Sequence, residues 1–310
     1  MDAVNASPDA AGWWVVRCDT CGLGRVAPLP EEADLTALYN EAYFTSGAYA
    51  GAAHTGGMDG HLTLYDRPGG RSASLRYQGR LVAQVERFRQ ARKGRLLDVG
   101  CGAGYFLDAA REAGWQVQGV ELSSAAASVG RKQLGLDIFQ GTLADAAFPD
   151  ASFDVLTLFE VLEHLREPGA VLAEARRILK PGGLLAIQVP NDLEAYRAWL
   201  SRSDNRWWVI PPLHLFYFTE PTLRRWLESF GMDVLSLASE GNVGNDAVTL
   251  LRSRGQTPGR YLTAGLRRLS IPLDWLLGHS GRHSELMAIC LLYTSPSPRD
   301  RTRCRMPSSA

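Results

Sequence analysis

Between residues 93 and 240 the chain alternates two hydrophobic rhythms: short, nearly continuous apolar runs, and longer stretches in which apolar residues return every three or four positions. Leu96, Leu97 and Val99 make the first run, after which Phe106, Leu107, Ala110 and Ala113 recur at helical spacing until Gly114. Trp115–Val120 predicts a second strand and Leu136–Gln140 a third. Between them SSAAASVGRKQLG predicts a helix capped by Ser123 or Ser124 and stopped by Gly135. FDVLTLFEV is almost wholly apolar, as expected of a strand covered on both faces. Pro168–Lys180 reads as a helix, Pro181-Gly182-Gly183 as a turn and Leu184–Val189 as a fifth strand. Thr219–Phe230 and Met232–Ala238 add an amphipathic helix and a sixth strand. Strands alternating with helices of about ten residues predict a doubly wound α/β sheet.

The flanks differ. Residues 1–30 hold a strand-like run, WWVV, followed by Cys18-x-x-Cys21. Residues 31–92 are glycine-rich and irregular up to a helix at Ser72–Ala91, and read as an extension and lid. Tyr77 and Arg80 on that helix are candidates to approach a ligand carboxylate, with solvent or packing as their ordinary role. Residues 242–280 read as helices inserted before a last strand at Leu286–Ile289, and the apolar face of LTAGLRRLSIPLDWLL, with its basic residues, is expected to pack, membrane contact being the alternative. Back-translated, 290–300 corresponds to one frame of a transposase-type sequencing adapter and 306–310 to the end of an indexed primer, so 290–310 is expected to be read-through. The domain itself is expected at 93–289.

The stretch RLLDVGCGAGYFL carries the most chemistry. Strand, Asp98, glycines at 100, 102 and 104, then helix is the context of a nucleotide-type cofactor loop. Such a loop lets backbone amides approach a ligand ahead of a helix N-terminus. A dinucleotide fingerprint requires G-x-G-x-x-G, whereas Tyr105 stands in the third place. Glu121 ends the second strand, where an acidic side chain accepts from ribose hydroxyls. The competing reading is a purely structural tight turn.

DVGCGAGYF, the acidic end of strand two, FDVLTLFEVLEHL and RRILKPGGLLAIQVPN together resemble class I S-adenosylmethionine-dependent methyltransferases of the small-molecule type, over roughly residues 90–240. The resemblance implies a Rossmann-like sheet, mostly parallel with an antiparallel last strand, and S-adenosylmethionine as cofactor. It places Asp98, Gly100, Gly102 and Gly104 along the methionine half, Glu121 at the ribose and Thr142 and Leu143 beside the adenine, with Cys101, Tyr105, Leu122 and Phe159 also expected at the cofactor. Many relatives carry an Asp after strand three, where this chain has Gly141-Thr142. Some relatives also begin with a four-cysteine ribbon whose second half resembles RCDTCGLGRVAPLP, followed by a helix like that expected at Leu38–Phe44.

With 310 residues, 45% of them hydrophobic, the chain can bury a full α/β core. No apolar run approaches the roughly 20 residues that cross a bilayer, and the start has no signal-peptide pattern, so a cytoplasmic location without stable membrane insertion is expected. Formal net charge is zero. Without the four Arg and one Asp of 290–310, 29 basic and 32 acidic residues remain, a net charge of −3. No basic run marks a nucleic-acid footprint, so a nucleic-acid partner is not expected, and the resemblance implies a small-molecule methyl acceptor; oligomeric state is not legible.

Cys18 and Cys21 form one zinc-type knuckle, half of the four ligands a closed site needs, and His54 and His61 lack a matching one. Cys101 reads as a small filler. Catalytic candidates cluster at Glu160, Glu163 and His164, spaced i, i+3, i+4 at the carboxyl end of strand four. His164 suits a general base. The three together suit a divalent cation, as the E-x-x-E-H pattern does in similar ubiquinone-pathway enzymes. A third reading has Glu160 contacting cofactor while the others brace a loop. DNRWWVIPPLHLFYFT gathers Trp207, Trp208, His214, Phe216, Tyr217 and Phe218 in a loop that either lines an acceptor pocket or plugs the sheet edge, His214 being a second base candidate. The functional expectation is transfer of a methyl group to a hydroxyl oxygen. Alternatives are C- or N-methylation of a nucleotide sugar, a nicotinamide-dependent oxidoreductase, and an inactive cofactor-binding subunit.

Overall fold

The structure, a computed structural model, describes residues 2–3, 13–31, 35, 69–89, 93–191, 214–241, 243–244, 247–248, 251 and 259–293. The expected Leu38–Phe44 helix, the glycine-rich lid with His54 and His61, and Trp207 and Trp208 lie outside these residues.

Seven strands form the main sheet: β4 (Arg95–Val99), β5 (Gln116–Glu121), β6 (Ile138–Gln140), β7 (Phe153–Phe159), β8 (Leu179–Pro190), β10 (Met232–Glu240) and β11 (Glu285–Leu292). Their order is β10-β11-β8-β7-β4-β5-β6. β6, β5, β4, β7 and β8 run parallel, while β11 inserts antiparallel between β8 and β10. The mostly parallel sheet with an antiparallel last strand is therefore as expected. The continuous apolar runs of the central strands divide their side chains between two cores. Leu97, Val99, Leu156, Leu158, Leu185 and Ile187 pack on one face, and Leu96, Val155, Leu184 and Ala186 on the other.

Helices α1 (Gly70–Glu86), α2 (Tyr105–Glu112), α3 (Ser124–Leu134), α4 (Pro168–Ile178) and α5 (Glu220–Ser229) complete the domain, with α6 (Arg260–Leu269) and α7 (Ile271–His279) between β10 and β11. Ser123 caps α3 through its side chain, Gly135 ends it in the left-handed conformation, and Thr219 opens α5 with a capping box.

Four local readings change. β8 starts at Leu179, so Pro181-Gly182-Gly183 lies within the strand instead of preceding it. Phe153 faces Leu179 and Val155 already faces Leu184, so three extra residues bulge from β8, with Gly182 at φ 74°. β11 continues three residues past Ile289, burying Cys290 and Leu292. The expected aromatic loop contributes a strand, β9 (Phe216–Tyr217), which completes a second sheet with β1 (Asp2–Ala3), β2 (Trp14–Arg17) and β3 (Gly24–Ala27) in the order β1-β2-β3-β9. The helix pair α6–α7 was expected to pack its apolar face, yet of its large apolar side chains only Leu277 is buried.

Asp154, next to the start of β7, ties the amino ends of the central strands together. Its carboxylate accepts from Arg89 Nη2 at 2.9 Å, Lys180 Nζ at 2.8 Å and the Arg95 N–H at 2.8 Å. Burial raises the pKa of this group, but Lys180, the Arg95 N–H and Arg89 hold it below the ordinary aspartate range. The network's contribution is therefore present at neutral pH and lost as pH falls through the depressed value. Asp154→Ala is expected to cost about 2–3 kcal/mol at pH 7, by analogy with hydrogen bonds to charged groups. The difference from wild type in urea unfolding should shrink below about pH 4.

Candidate active site

The glycine loop joins β4 to α2 at the carboxyl edge of the sheet. Gly100, Gly102 and Gly104 have φ of 71°, 55° and 80°, which only glycine adopts without strain. They differ in what surrounds them. A Cβ on Gly100 would meet Val161 Cγ2 at 2.5 Å, and one on Gly104 would strike Leu136, whereas nothing lies within 4 Å of one on Gly102. Gly102 is thus the member that faces open space. The loop amides were expected to point at a ligand, but those of residues 100, 101, 102 and 104 are all engaged internally. Gly100 and Cys101 donate to Val120 O, Gly104 to Cys101 O and Gly102 to Glu121 Oε2 at 2.8 Å. Four short-range bonds fix the loop's shape.

Two carboxyls stand at its base. Asp98 Oδ1 accepts from Thr157 Oγ1 at 2.6 Å, and Glu121 Oε1 accepts from the Ser123 N–H at 2.7 Å. Burial pushes the Asp98 carboxyl up to about 7, against the Thr157 hydrogen bond and with help from the Glu121 charge. Burial likewise raises Glu121, against its bonds from Ser123, Gly102 and Leu122 amides. Asp98 and Glu121 thus sit on neighbouring strands, Asp98 opposite Gly119 and Glu121 two residues on, at the rim where open α/β sheets place their ligand crevice.

The remaining residues expected at the cofactor are distributed around this point. Tyr105 begins α2 and is buried; Phe159 ends β7 with its ring edge-on to Phe106 at 5.0 Å; Leu122 is exposed beside Glu121. Cys101 turns its sulfur inward against the Gly119 position, a filler in the core beneath the loop. Leu143 is buried in the core, and exposed Thr142 is engaged by Asp145, which accepts from the Thr142 N–H at 3.1 Å and Oγ1 at 2.6 Å. Asp145 supplies an acidic group three residues after the place where relatives carry one; its hydroxyl partner at i−3 is the local signal. Tyr77 and Arg80 are exposed on α1, Tyr77 within electrostatic reach of Glu285, Glu160 and Glu240.

The expected Glu160, Glu163 and His164 face does not form. Glu160 takes φ 57°, which reverses the chain at the end of β7, and a 3-10 turn follows over Leu162–His164. Glu160 stays exposed while Glu163 is 1% exposed, so the spacing argument fails for want of a regular α-turn. His214 takes the third place instead. Its ring lies 5.0 Å from that of His164 in an edge-on arrangement, and ligating atoms of Glu163, His164 and His214 all lie within 4.8 Å of one another. His164 Nε2 is 3.5 Å from Glu163 Oε1, and its side chain, 18% exposed, opens the cluster to solvent. Backbone pairing brings the segments together: the Leu215 N–H donates to Glu163 O at 2.6 Å and the Val26 N–H to Leu215 O at 2.9 Å. Phe216, Tyr217 and Phe218 are buried, so of the aromatic segment's described residues they pack and do not line a chamber.

Cys18 and Cys21 flank a tight turn. Cys18 N–H donates to Leu23 O, Gly22 N–H donates to Cys18 O, and Gly22 sits at φ 77°. Hydrogen bonding from the Cys21 amide leads the causes that lower the Cys18 thiol pKa. Among the described residues no third ligand joins the pair, the sole group of three or more metal-ligating side chains being Glu163, His164 and His214.

The raised Asp98 value has a measurable consequence in the ligand-free protein. Below about pH 4 the group is neutral whether folded or unfolded; between about 4 and 7 only the unfolded chain ionises it, so stability falls as pH rises through that window. In thermal melts from pH 5 to 8, Asp98→Asn is expected to lose less stability than wild type. Equal slopes would remove Asp98 as the titrating group.

Comparison with known proteins places this geometry. Residues 74–237 match the family model described as a methyltransferase domain. The chain is 32% identical over 163 residues to a ubiquinone biosynthesis O-methyltransferase of Methylococcus capsulatus, covering 49% of this chain and 68% of that protein. It is 37% identical over 112 residues to the enzyme of the same name from Idiomarina loihiensis, covering 34% and 45%. The chain spans about half the length of most of the curated relatives it matches. In fold it resembles a Haemonchus contortus phosphoethanolamine N-methyltransferase 2 solved with S-adenosyl-L-methionine, with a TM-score of 0.51 at 17% identity over 86% of this chain and 61% of that one. From the matched domain and the sheet order that carries it, the chain belongs to the class I S-adenosylmethionine-dependent methyltransferases.

Proposed function

We propose that this chain transfers a methyl group from S-adenosylmethionine to the hydroxyl oxygen of a small-molecule acceptor. The observation that carries the reading is the convergence of His164, Glu163 and His214 beside the cofactor loop, Val161 of the intervening turn packing against Gly100. When bound, S-adenosylmethionine supplies an electrophilic methyl group whose departure leaves a neutral thioether. The residues present fit it. Glu121 takes its bonds from the Gly102, Ser123 and Leu122 amides, fewer than the roughly four its carboxylate accepts, leaving capacity for ribose hydroxyls. Asp98 would ionise more readily beside a cationic ligand. The open side of Gly102 leaves room for the methionine chain.

His164 acts as the base. Its imidazole takes the acceptor's hydroxyl proton as the oxygen lone pair forms the new C–O bond, and the buried Glu163 carboxylate holds the imidazolium that results. Positioning of acceptor against methyl carbon contributes the larger share, since the leaving group needs no protonation. The similarity to ubiquinone biosynthesis O-methyltransferases supports oxygen as the acceptor atom.

A second reading rests on the same cluster. Two imidazoles and one carboxylate make a donor set suited to a divalent transition metal. These residues would hold the ion, which would supply Lewis acidity toward a catechol-type acceptor. Glu160 has no part in that set.

Methylation of a catechol acceptor separates the two. With His164 as base, His164→Gln is expected to lower kcat by about 10²–10⁴ with little change in cofactor affinity, and chelator to leave wild-type turnover intact. Abolition by chelator with recovery on adding a divalent metal would establish the cation reading, and undiminished turnover of His164→Gln would overturn both. The glycines give an independent check. Gly102→Ala is expected to weaken S-adenosylmethionine binding about tenfold or more, near 1.4 kcal/mol, with little loss of melting temperature beyond its strained φ. Gly100→Ala, overpacked on Val161, should instead destabilise the fold by about 1–3 kcal/mol.

A further inference from the structure

The helix pair α6–α7 carries a surface that neither the fold nor the cofactor site uses. Of the twelve large hydrophobic side chains exposed among the described residues, seven fall between positions 261 and 276: Tyr261, Leu262, Leu269, Ile271, Leu273, Trp275 and Leu276. Leu269 is 81% exposed, Tyr261 78% and Trp275 66%. A helix that is apolar nearly all round, as α7 is, belongs in a core or against lipid, and here only Leu277 turns inward. Concentrated apolar exposure of this kind marks an interaction surface.

Charge identifies the occupant. From 247 to 284 the sequence holds six Arg and one acidic residue, Asp274. Arg267, Arg268 and Arg282 are exposed around the apolar surface. Asp274 faces inward, accepting from the Val243 N–H at 2.7 Å and Ser270 Oγ at 2.8 Å. The outward side is therefore apolar with a cationic border and aromatic Trp275 and Tyr261 upon it, the composition of a helix lying in the interface of an anionic bilayer. A second copy on the same face would set these arginines against one another across a two-fold axis.

The location agrees. β10 leads into α6–α7 at Glu240, and β11 leaves at Glu285, which pairs with Pro190 at the carboxyl end of β8. Asn191 Nδ2 then donates to Gly281 O at 3.0 Å and His283 O at 2.8 Å. The pair thus stands on the rim that carries Asp98, Glu121 and Glu160.

We propose that α6–α7 docks this protein onto an anionic lipid bilayer, the apolar side chains entering the headgroup boundary and the arginines contacting lipid phosphates, with the cofactor rim facing the membrane. Among the described residues no helix is long and apolar enough to cross a membrane.

Vesicle flotation of the full chain tests this, using phosphatidylcholine alone and mixtures with phosphatidylglycerol. The wild type is expected to float with the anionic vesicles, at least tenfold above neutral ones, and to be released by high salt. Leu269→Glu with Trp275→Glu should lower flotation at least tenfold, and Arg267→Glu with Arg268→Glu should do so independently, each variant retaining wild-type circular dichroism and S-adenosylmethionine binding. No flotation of wild type, or equal flotation of folded variants, would overturn the proposal. So would a concentration-dependent dimer in sedimentation that the same substitutions dissolve, which would make a second copy the occupant. Flotation is read without turnover, so failure of the acceptor assignment leaves it untouched.

Discussion

Asp98 and Glu121 stand on adjacent strands with their carboxyls withdrawn from water, and the surrounding chain is arranged to make that tolerable. Charge in such a place is costly unless donors surround it. Gly102 and Ser123 supply backbone N–H groups to Glu121, Thr157 supplies a hydroxyl to Asp98, and Asp98 remains partly protonated near neutral pH. The glycine loop owes its course to this requirement. Its amides bond to β5 and to Glu121 as it crosses the end of the sheet, and that crossing opens the space beside Gly102. The electrostatics of two side chains therefore shape the binding surface as much as the conformational freedom of glycine does.

What the sequence reveals divides along the distance over which each feature is determined. The cap at Ser123, the stop at Gly135 and the acidic end of β5 are local, each set by residues within a few positions, and the structure places them as read, whereas the loop's amides turn to Val120 and Glu121 some twenty positions on. The central strands β4, β7 and β8 were legible because burial on both faces keeps their runs mostly apolar. The cluster of Glu163, His164 and His214 was half legible. Glu163 and His164 are neighbours, but spacing alone joined Glu160 to them by assuming a helical turn, and its φ of 57° is a backbone choice that no side-chain pattern announces. His214 lies fifty positions away and arrives through strand pairing with residues near the N-terminus, a long-range contact that periodicity cannot encode. The same holds for α6–α7, whose apolar pattern signals a covered surface without naming what covers it.

The 3-10 turn after β7 gathers several of these contacts. Val161 fills the space above Gly100, Leu162 enters the core, Glu163 is buried, and His164 reaches the opening. Four successive residues thus turn to the loop, the core, a buried carboxylate and the solvent opening. An i→i+3 turn spreads neighbouring side chains by about 120° about its axis, which suits that division better than an α-turn would.

Leu215 ties the two sheets through one residue: its N–H bonds to Glu163 O, its carbonyl to Val26 N–H. The knuckle lies on this same sheet, and Arg225 Nη2 clasps Cys21 O at 2.8 Å from α5. A boundary drawn through the sequence after residue 30 separates pieces that are mechanically one. A change at Val26 is therefore felt through Leu215 at the turn that carries Glu163, on the far side of the junction between the sheets.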